Sequence, residues 1–253
     1  MRAEDLRSGE LLGRDSKYGF PTFGTTRLMV MGMVPLARLH NDLVHSLGEE
    51  GAAKMCLRYG YEAGLGTATN LAEFYEWDDD LEWLKAGTAI RQMAGLAKEE
   101  LTHLEYDPDN KRLLIKGRWL LSMEAEVWRQ RYGQADRPIC SILAGMTSGY
   151  ASAVWGSEVL AREITCRAQG HDCCTFEVRP VEDWGMEPQA IRDYLALDTV
   201  KEEVQRLKGA LEKAREKERK QSAEIEMLRS RQIRNPGEDG VIFRSEAMAR
   251  VLE

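Results

Sequence analysis

The sequence lacks the features that define several large classes of protein. It has no apolar run of about 18 residues, and its first residues, Met1 to Asp5, are too polar for the apolar core of a signal peptide. It also lacks a Gly-x-x-x-x-Gly-Lys-Ser/Thr phosphate loop and a dinucleotide-binding fingerprint. Its formal net charge of −7, from 35 basic and 42 acidic residues, argues against a general nucleic-acid binder. We therefore expect no membrane span and no ATP hydrolysis.

Cysteine is also scarce, with an odd count of five among 253 residues. Without an export signal, this favours the cytoplasm and a metal or thiol role over a disulfide framework. Four of the five cysteines fall between Pro138 and Pro180, so their clustering carries the information. Cys56 stands alone in a helical pattern and is expected in the core.

The cysteine-rich stretch has the composition of a metal site. The candidate ligands are Cys140, Glu163, Cys166 and Cys174. Three thiolates and one carboxylate suit tetrahedral zinc, and four protein ligands leave no position for a catalytic water. A strand ending at Cys166, a turn through Gly170 and a return strand would bring them together. Neighbouring strand residues face opposite ways, so only one of Cys173 and Cys174 should bind. The alternative is a set of free, buried cysteines.

The hydrophobic pattern predicts an α+β fold. Residues 1–20 are expected to form an arm with little structure, and Thr26–Val34 a buried strand. Apolar residues at helical spacing then predict a helix that ends near Gly48 and a second one after it. Asp78 to Asp80 are expected to begin another helix, because acidic residues favour a helix N-terminus.

A hairpin and a tightly packed helix complete the predicted domain, which spans residues 21–184. The segments Leu101–Tyr106 and Arg112–Trp119 flank a turn sequence, Asp107-Pro108-Asp109-Asn110. A helix from about Pro138 to Val154 carries small residues along its length, which favours close packing against another backbone.

Residues 185–235 differ in kind, because they carry a heptad repeat. The a and d positions are Leu197, Val200, Val204, Leu207, Leu211, Ala214, Glu218, Gln221, Ile225 and Leu228. Eight of these ten are apolar, which predicts a two-stranded coiled coil and hence a homodimer. Residues 236–253 begin with a helix break and are expected to open a further domain.

Three segments together resemble one family. The cysteine and glutamate spacing looks like the zinc site of the 4-vinyl reductase type of domain. The segments LVHSLGEEGAAKMCLRYGYEAG (43–64) and RWLLSM (118–123) resemble the sensor of the XylR/DmpR class of bacterial activators. The tail GVIFRSEAMARVLE is similar to the entrance of the AAA+ domain of NtrC-type, sigma-54-dependent activators.

The resemblance implies a ligand-controlled transcription regulator. A small aromatic effector would enter a buried pocket and relieve repression of the AAA+ ATPase domain. DNA and sigma-54 RNA polymerase would be contacted only through domains absent from this sequence. The resemblance assigns Trp119 and Tyr150 to the pocket, with further wall positions at Leu84, Leu101, Gly117 and Ala161.

Arg91 departs from the family pattern. It lies 28 residues before Trp119, where the phenol sensors carry a histidine that bonds the phenol hydroxyl. If Arg91 faces the pocket, we expect an aromatic carboxylate as the effector, because the guanidinium fork matches two carboxylate oxygens. If it turns outward, unsubstituted or alkyl aromatics are expected. The sequence near Arg91 offers no ready buried partner, which favours the outward arrangement.

Two other functions remain open at this point. The first is a zinc-dependent enzyme of the 4-vinyl reductase type, against which stand the closed ligand set and the lack of a convincing acid–base pair. The second is a dimerisation scaffold without a ligand. The reading that accounts for most residues is a non-enzymatic sensor domain.

Overall fold

A computed structural model describes residues 1–6, 11–24, 26–185 and 200–234. The chain divides into two compact units, Met1–Leu197 and Asp198–Glu253. The helices are α1 (Met33–Phe74), α2 (Asp80–Met93), α3 (Met123–Tyr132), α4 (Ser141–Trp155) and α5 (Val200–Arg234). The strands are β1 (Leu12–Arg14), β2 (Pro21–Phe23), β3 (Thr26–Arg27), β4 (Glu99–Asp107), β5 (Arg112–Trp119), β6 (Val159–Thr165) and β7 (Cys174–Pro180). Across these ranges, no helix has both the length and the apolar character that a bilayer span requires.

The first unit is built on an antiparallel sheet of order β4-β5-β7-β6. Strands β4 and β5 form the predicted hairpin, and Asp107 pairs with Arg112 across its turn. The Asp107 carboxylate accepts the backbone N–H of Asn110 at 3.1 Å, which closes this turn. The hairpin prediction is therefore confirmed, and the mixed helix and sheet composition agrees with the predicted class.

Helix α4 packs against α1 with the two backbones in contact. A β-carbon on Gly64 would lie 2.1 Å from the carbonyl oxygen of Met146, and one on Gly149 would lie 2.0 Å from that of Tyr61. Only glycine permits this approach, since a real β-carbon never comes so close to a carbonyl oxygen. The crossing explains the small residues of α4, almost all of which are buried.

Helix α1 is broken at Gly48, where the backbone has φ 73° and ψ 171°. This left-handed φ is open to glycine at little cost. The predicted end of a helix at Gly48 is thus observed as a break between two helical segments. Helix α2 begins as predicted, because the Asp79 carboxylate caps it by accepting the backbone N–H of Glu82 at 2.8 Å.

Three boundary predictions were wrong. Residues 1–20 are not a structureless arm: β1 pairs with β2 and β2 with β3, and Leu6 and Leu11 are buried in the core. The predicted strand Thr26–Val34 is strand only at Thr26–Arg27, and its apolar continuation is exposed. Helix α4 starts at Ser141, so Pro138 precedes it and lies outside its first turn.

The second unit contains α5, one continuous helix over most of the predicted coiled-coil segment. The seam residues Leu211, Ile225 and Leu228 are each about half exposed, at 52%, 51% and 52%. The helical part of the prediction is therefore observed, and its pairing into a coiled coil stays a prediction. Position Leu197 of the repeat, and the predicted domain entrance at 236–253, lie outside the described residues.

Candidate metal centre and ligand pocket

The four predicted metal ligands converge at one point behind the sheet. One ligand atom from each of Cys140, Glu163, Cys166 and Cys174 lies within 4.8 Å of every other. The sulfur of Cys140 is 3.9 Å from that of Cys166 and 3.7 Å from that of Cys174, and the remaining sulfur pair is 3.9 Å apart. Four ligands about 2.3 Å from a central zinc ion would be roughly 3.8 Å apart at tetrahedral corners. The sulfur triangle therefore has the dimensions of a tetrahedral thiolate site.

The carboxylate of Glu163 supplies a second indication that this cluster can hold a cation. Its Oε2 accepts the backbone N–H of Cys140 at 2.9 Å. Its Oε1 is buried and, within the described part of the chain, has no hydrogen-bond partner. A buried carboxylate oxygen without a partner is costly, and a metal bond would remove that cost.

The electrostatics of the cluster also favour a bound cation. Burial raises the pKa of the Glu163 carboxyl to about 8 and raises that of the Cys140 thiol. Hydrogen bonds from the Cys140 and Cys174 thiols lower the pKa of Cys166, which thereby carries the thiolate. The protein alone opposes several negative charges here, so full deprotonation of the set requires a positive ion among them.

The elements around the cluster hold its ligands in place. Cys140 is the N-cap residue of α4, and the Ser122 hydroxyl lies 3.1 Å from its sulfur. The sulfur of Cys174 accepts the backbone N–H of Arg167 at 3.3 Å, as metal-bound thiolates commonly do. Cys173 is half-buried and is not part of the cluster, in keeping with the expectation that only one of the two neighbours ligates.

A small cavity of about 20 Å³ lies between α2, α4 and the sheet. Its lining residues are Leu84, Lys85, Thr88, Arg91, Glu99, Leu101, Leu104, Ile115, Thr147, Tyr150, Ala151 and Phe176. Most of these side chains are apolar, and the polar groups are few, as in small-molecule sites generally. The cavity is large enough for about one water molecule.

The structure brings four of the seven predicted pocket residues to this cavity and places the other three behind it. Leu84, Arg91, Leu101 and Tyr150 line it. Trp119 is fully buried and stacks on Phe176, with ring centroids 4.5 Å apart. Gly117 lies under the same ring, since a β-carbon there would be 2.4 Å from Phe176. Ala161 is fully buried on β6 and does not line the cavity.

The favoured outward orientation of Arg91 was wrong. Its side chain is 5% exposed, and its guanidinium makes a two-pronged ion pair with Glu99, whose side chain is 1% exposed. The Arg91 Nε donates to Oε2 of Glu99 at 2.7 Å, and Nη2 donates to Oε1 at 2.8 Å. The inward arrangement predicted an aromatic carboxylate. That expectation assumed an unpaired guanidinium, and Glu99 already fills the fork.

Glu99 is the residue that sequence reasoning missed. It also accepts the indole N–H of Trp119 at 3.2 Å, so it joins two predicted pocket residues. Strand β4 begins at Glu99, two residues earlier than predicted. Alternation along a strand puts Glu99 on the same face as Leu101, and that parity was the available signal.

Comparison with known proteins agrees with this architecture. Residues 5–107 match the XylR_N family, described as activator of aromatic catabolism, and residues 119–180 match the 4-vinyl reductase domain family. The chain is 30% identical over 197 residues to the phenol regulator MopR of Acinetobacter guillouiae, covering 78% of this chain and 35% of MopR. It is 27% identical over 180 residues to the transcriptional regulatory protein XylR of Pseudomonas putida, covering 71% and 32%.

A solved structure agrees over the same region. The phenol-responsive sensory domain of the transcription activator PoxR, crystallised with phenol, matches with a TM-score of 0.71 and 26% identity. The match covers 78% of this chain and 96% of the PoxR chain. In contrast, this chain spans only about a third of the length of MopR and XylR.

The succession of a XylR_N domain and a 4-vinyl reductase domain defines the sensor module of a transcription regulator. The chain belongs to the XylR/DmpR class of activators and carries the N-terminal sensor domain of that class. This segment is accordingly a regulatory domain and not an enzyme.

Proposed function

We propose that this chain senses a small aromatic effector in the cavity between α2, α4 and the sheet. The observation that carries the proposal is the cavity itself, an apolar space with Arg91, Glu99 and Tyr150 as its principal polar groups. The proposal is supported by the likeness to the phenol-responsive domain of PoxR over the same region. It assigns Trp119 and Phe176 to the stacked aromatic wall behind the ligand.

The size of the cavity implies that binding rearranges the domain. A ring the size of benzene occupies a cavity of roughly 150 Å³ in a protein core, whereas the space here is about 20 Å³. A ligand must therefore displace side chains of α2 or α4. A state that opens to admit the ligand differs in structure from one that does not, which is the requirement for a switch.

The cluster of Cys140, Glu163, Cys166 and Cys174 is proposed to hold one structural zinc ion. The support is the spacing of the three sulfurs and the unpartnered Oε1 of Glu163. Zinc would tie the start of α4 to strands β6 and β7, and its four protein ligands leave no position for a reacting water.

The whole protein is proposed to act as a sigma-54-dependent activator, with effector binding relieving repression of an AAA+ domain that lies beyond this chain. The support is the family membership and the resemblance of residues 236–253 to an AAA+ entrance. Helix α5 is proposed to pair with its copy in a homodimer through Leu211, Ile225 and Leu228. Light scattering on the chain and on a version truncated near Pro188 tests this pairing, and a monomeric full chain would contradict it.

A thermal-shift screen against small aromatic compounds tests the sensing function. Binding to the folded state alone raises the melting temperature, by an amount that grows with ligand concentration. We expect at least one neutral aromatic to raise it, and we expect Tyr150→Ala to reduce the shift. A chain whose melting temperature responds to none of the compounds would favour a scaffold without a ligand.

A further inference from the structure

The ion pair between Arg91 and Glu99 bears on which aromatic the pocket accepts. Both side chains are almost fully buried, and the pair lies at the wall of the cavity. Formally, the two charges cancel. Most small-molecule pockets carry a few polar groups that fix the orientation of the ligand, and in this cavity the pair is the most polar of them.

Other polar groups of the pocket are already engaged by the protein. The Tyr150 hydroxyl donates to the Trp83 carbonyl at 2.8 Å, and the Trp119 indole N–H donates to Glu99. The hydroxyls of Thr88 and Thr147 donate to backbone carbonyls of their own helices. None of these donors is therefore available to a ligand without breaking an existing bond.

The guanidinium of Arg91 keeps spare donors. It has five N–H groups, and Glu99 takes one from Nε and one from Nη2. Within the described residues Nη1 makes no hydrogen bond. A β-carbon on Gly87 would lie 3.1 Å from Nη1 and 2.9 Å from ring carbons of Tyr150. Nη1 and the Tyr150 ring thus converge where the absence of a side chain leaves room.

Glu99 has little capacity left and holds the negative charge of the pocket. A carboxylate offers about four acceptor positions, and three are filled by Arg91 and Trp119. A ligand carboxylate would add a second buried negative charge against one guanidinium. Lys85 at the rim does not offset it, because its ammonium is bonded to Glu82 at 2.8 Å.

We infer that the pocket selects an uncharged aromatic bearing a hydrogen-bond acceptor, such as a carbonyl oxygen. Arg91 Nη1 donates to that acceptor, and Glu99 excludes aromatic carboxylates. A plain hydrocarbon binds less well, because the spare donors of Arg91 would lose access to water without gaining a partner. This inference rests on the proposed function and specifies its ligand class.

Calorimetry with acetophenone, toluene and benzoate tests the inference on three rings of similar size. The wild-type chain should bind acetophenone at least tenfold more tightly than either of the others. Glu99→Gln should raise the affinity for benzoate at least tenfold, because it removes the competing charge. Glu82→Gln, at the rim, is the matched control and should leave the ranking of the three ligands unchanged.

A second variant keeps the test decisive if Glu99→Gln folds poorly. Replacing both partners, as Arg91→Met with Glu99→Gln, leaves no buried unpaired charge. This double variant should bind toluene at least as tightly as acetophenone.

Tightest binding of benzoate by the wild-type chain, or an acetophenone preference that survives in the double variant, overturns the inference. Binding of all three compounds with another ranking contradicts the inference alone. No binding of any of them contradicts the proposed function as well.

Discussion

Trp119 and Cys174 occupy the same rung of the central sheet, as register partners of β5 and β7. Cys174 belongs to the metal cluster, and the Trp119 indole donates to Glu99, which pairs with Arg91 at the cavity. Helix α4 makes a second connection, because it starts at Cys140 and carries Tyr150. The metal centre and the pocket are thus built on the same two elements.

The first prediction concerns the identity of the metal ligands. Cys174→Ser should lose the zinc, because it removes one of three thiolates from a closed four-ligand set. Cys173→Ser is the matched control on the adjacent residue and should retain about one zinc per chain, as measured by elemental analysis of purified protein. Metal retained in the first variant and lost in the second would reverse the assignment.

The second prediction is that removing the metal weakens effector binding. Zinc holds Cys174, and through the shared rung it steadies Trp119 and the Glu99 bond. Treatment with a chelator should therefore lower the melting temperature and reduce aromatic affinity at least tenfold in calorimetry. Linkage is reciprocal, so the effector should also slow zinc loss to a chelator. An affinity that is the same before and after metal removal would show that the two sites are independent.

The third prediction tests the crossing of α1 and α4. Gly64→Ala places a methyl group against the Met146 carbonyl, and we expect a loss of about 1–3 kcal/mol or more in the free energy of unfolding. Gly66→Ala, two residues along the same helix, meets nothing within 4 Å. This control should be neutral or stabilising by about 0.5–1 kcal/mol. Chemical denaturation measures both, and equal effects would contradict the backbone contact.

The fourth prediction is a dependence of stability on pH through His40. This side chain lines a second cavity, between α1 and α3, and packs against Trp128 with ring centroids 5.6 Å apart. Burial, with the charge of Arg137, lowers the pKa of His40 below its ordinary value of 6.5. The unfolded chain then binds the proton more readily, so the contribution is present above about pH 6.5 and is lost as the pH falls through the lower folded pKa.

His40→Gln, which stays neutral, should lose less stability than the wild-type chain between pH 7 and pH 5, measured as melting temperatures. The exposed His45→Gln serves as the control and should follow the wild-type curve. Parallel curves for His40→Gln and the wild-type chain would contradict the lowered pKa.

The metal cluster was foreseeable from sequence because its chemistry is local. Cysteine and glutamate at fixed spacing on two strands and one helix start left few arrangements, and the ligand atoms do converge. The hairpin turn at Asp107–Asn110 was equally legible, since each of its residues has a specific backbone role.

The pocket was less foreseeable because it depends on contacts between elements. The pairing of Arg91 with Glu99 joins α2 to β4 across a loop, and no periodicity along the chain signals it. The run after Thr26 failed for a different reason. Its apolar residues, including Met29 at 78% exposed, have the composition of a buried strand, and composition does not say whether a second surface covers them.

The most direct test of the central claim is to locate an aromatic ring in the protein. Crystals grown with 4-bromoacetophenone and measured at the bromine absorption edge would place the halogen by its anomalous signal. The account predicts a peak in the enlarged cavity bounded by Leu84, Leu101 and Tyr150, with the ligand oxygen facing Arg91. A bromine bound instead in the second cavity, beside His40 and Trp128, would contradict it.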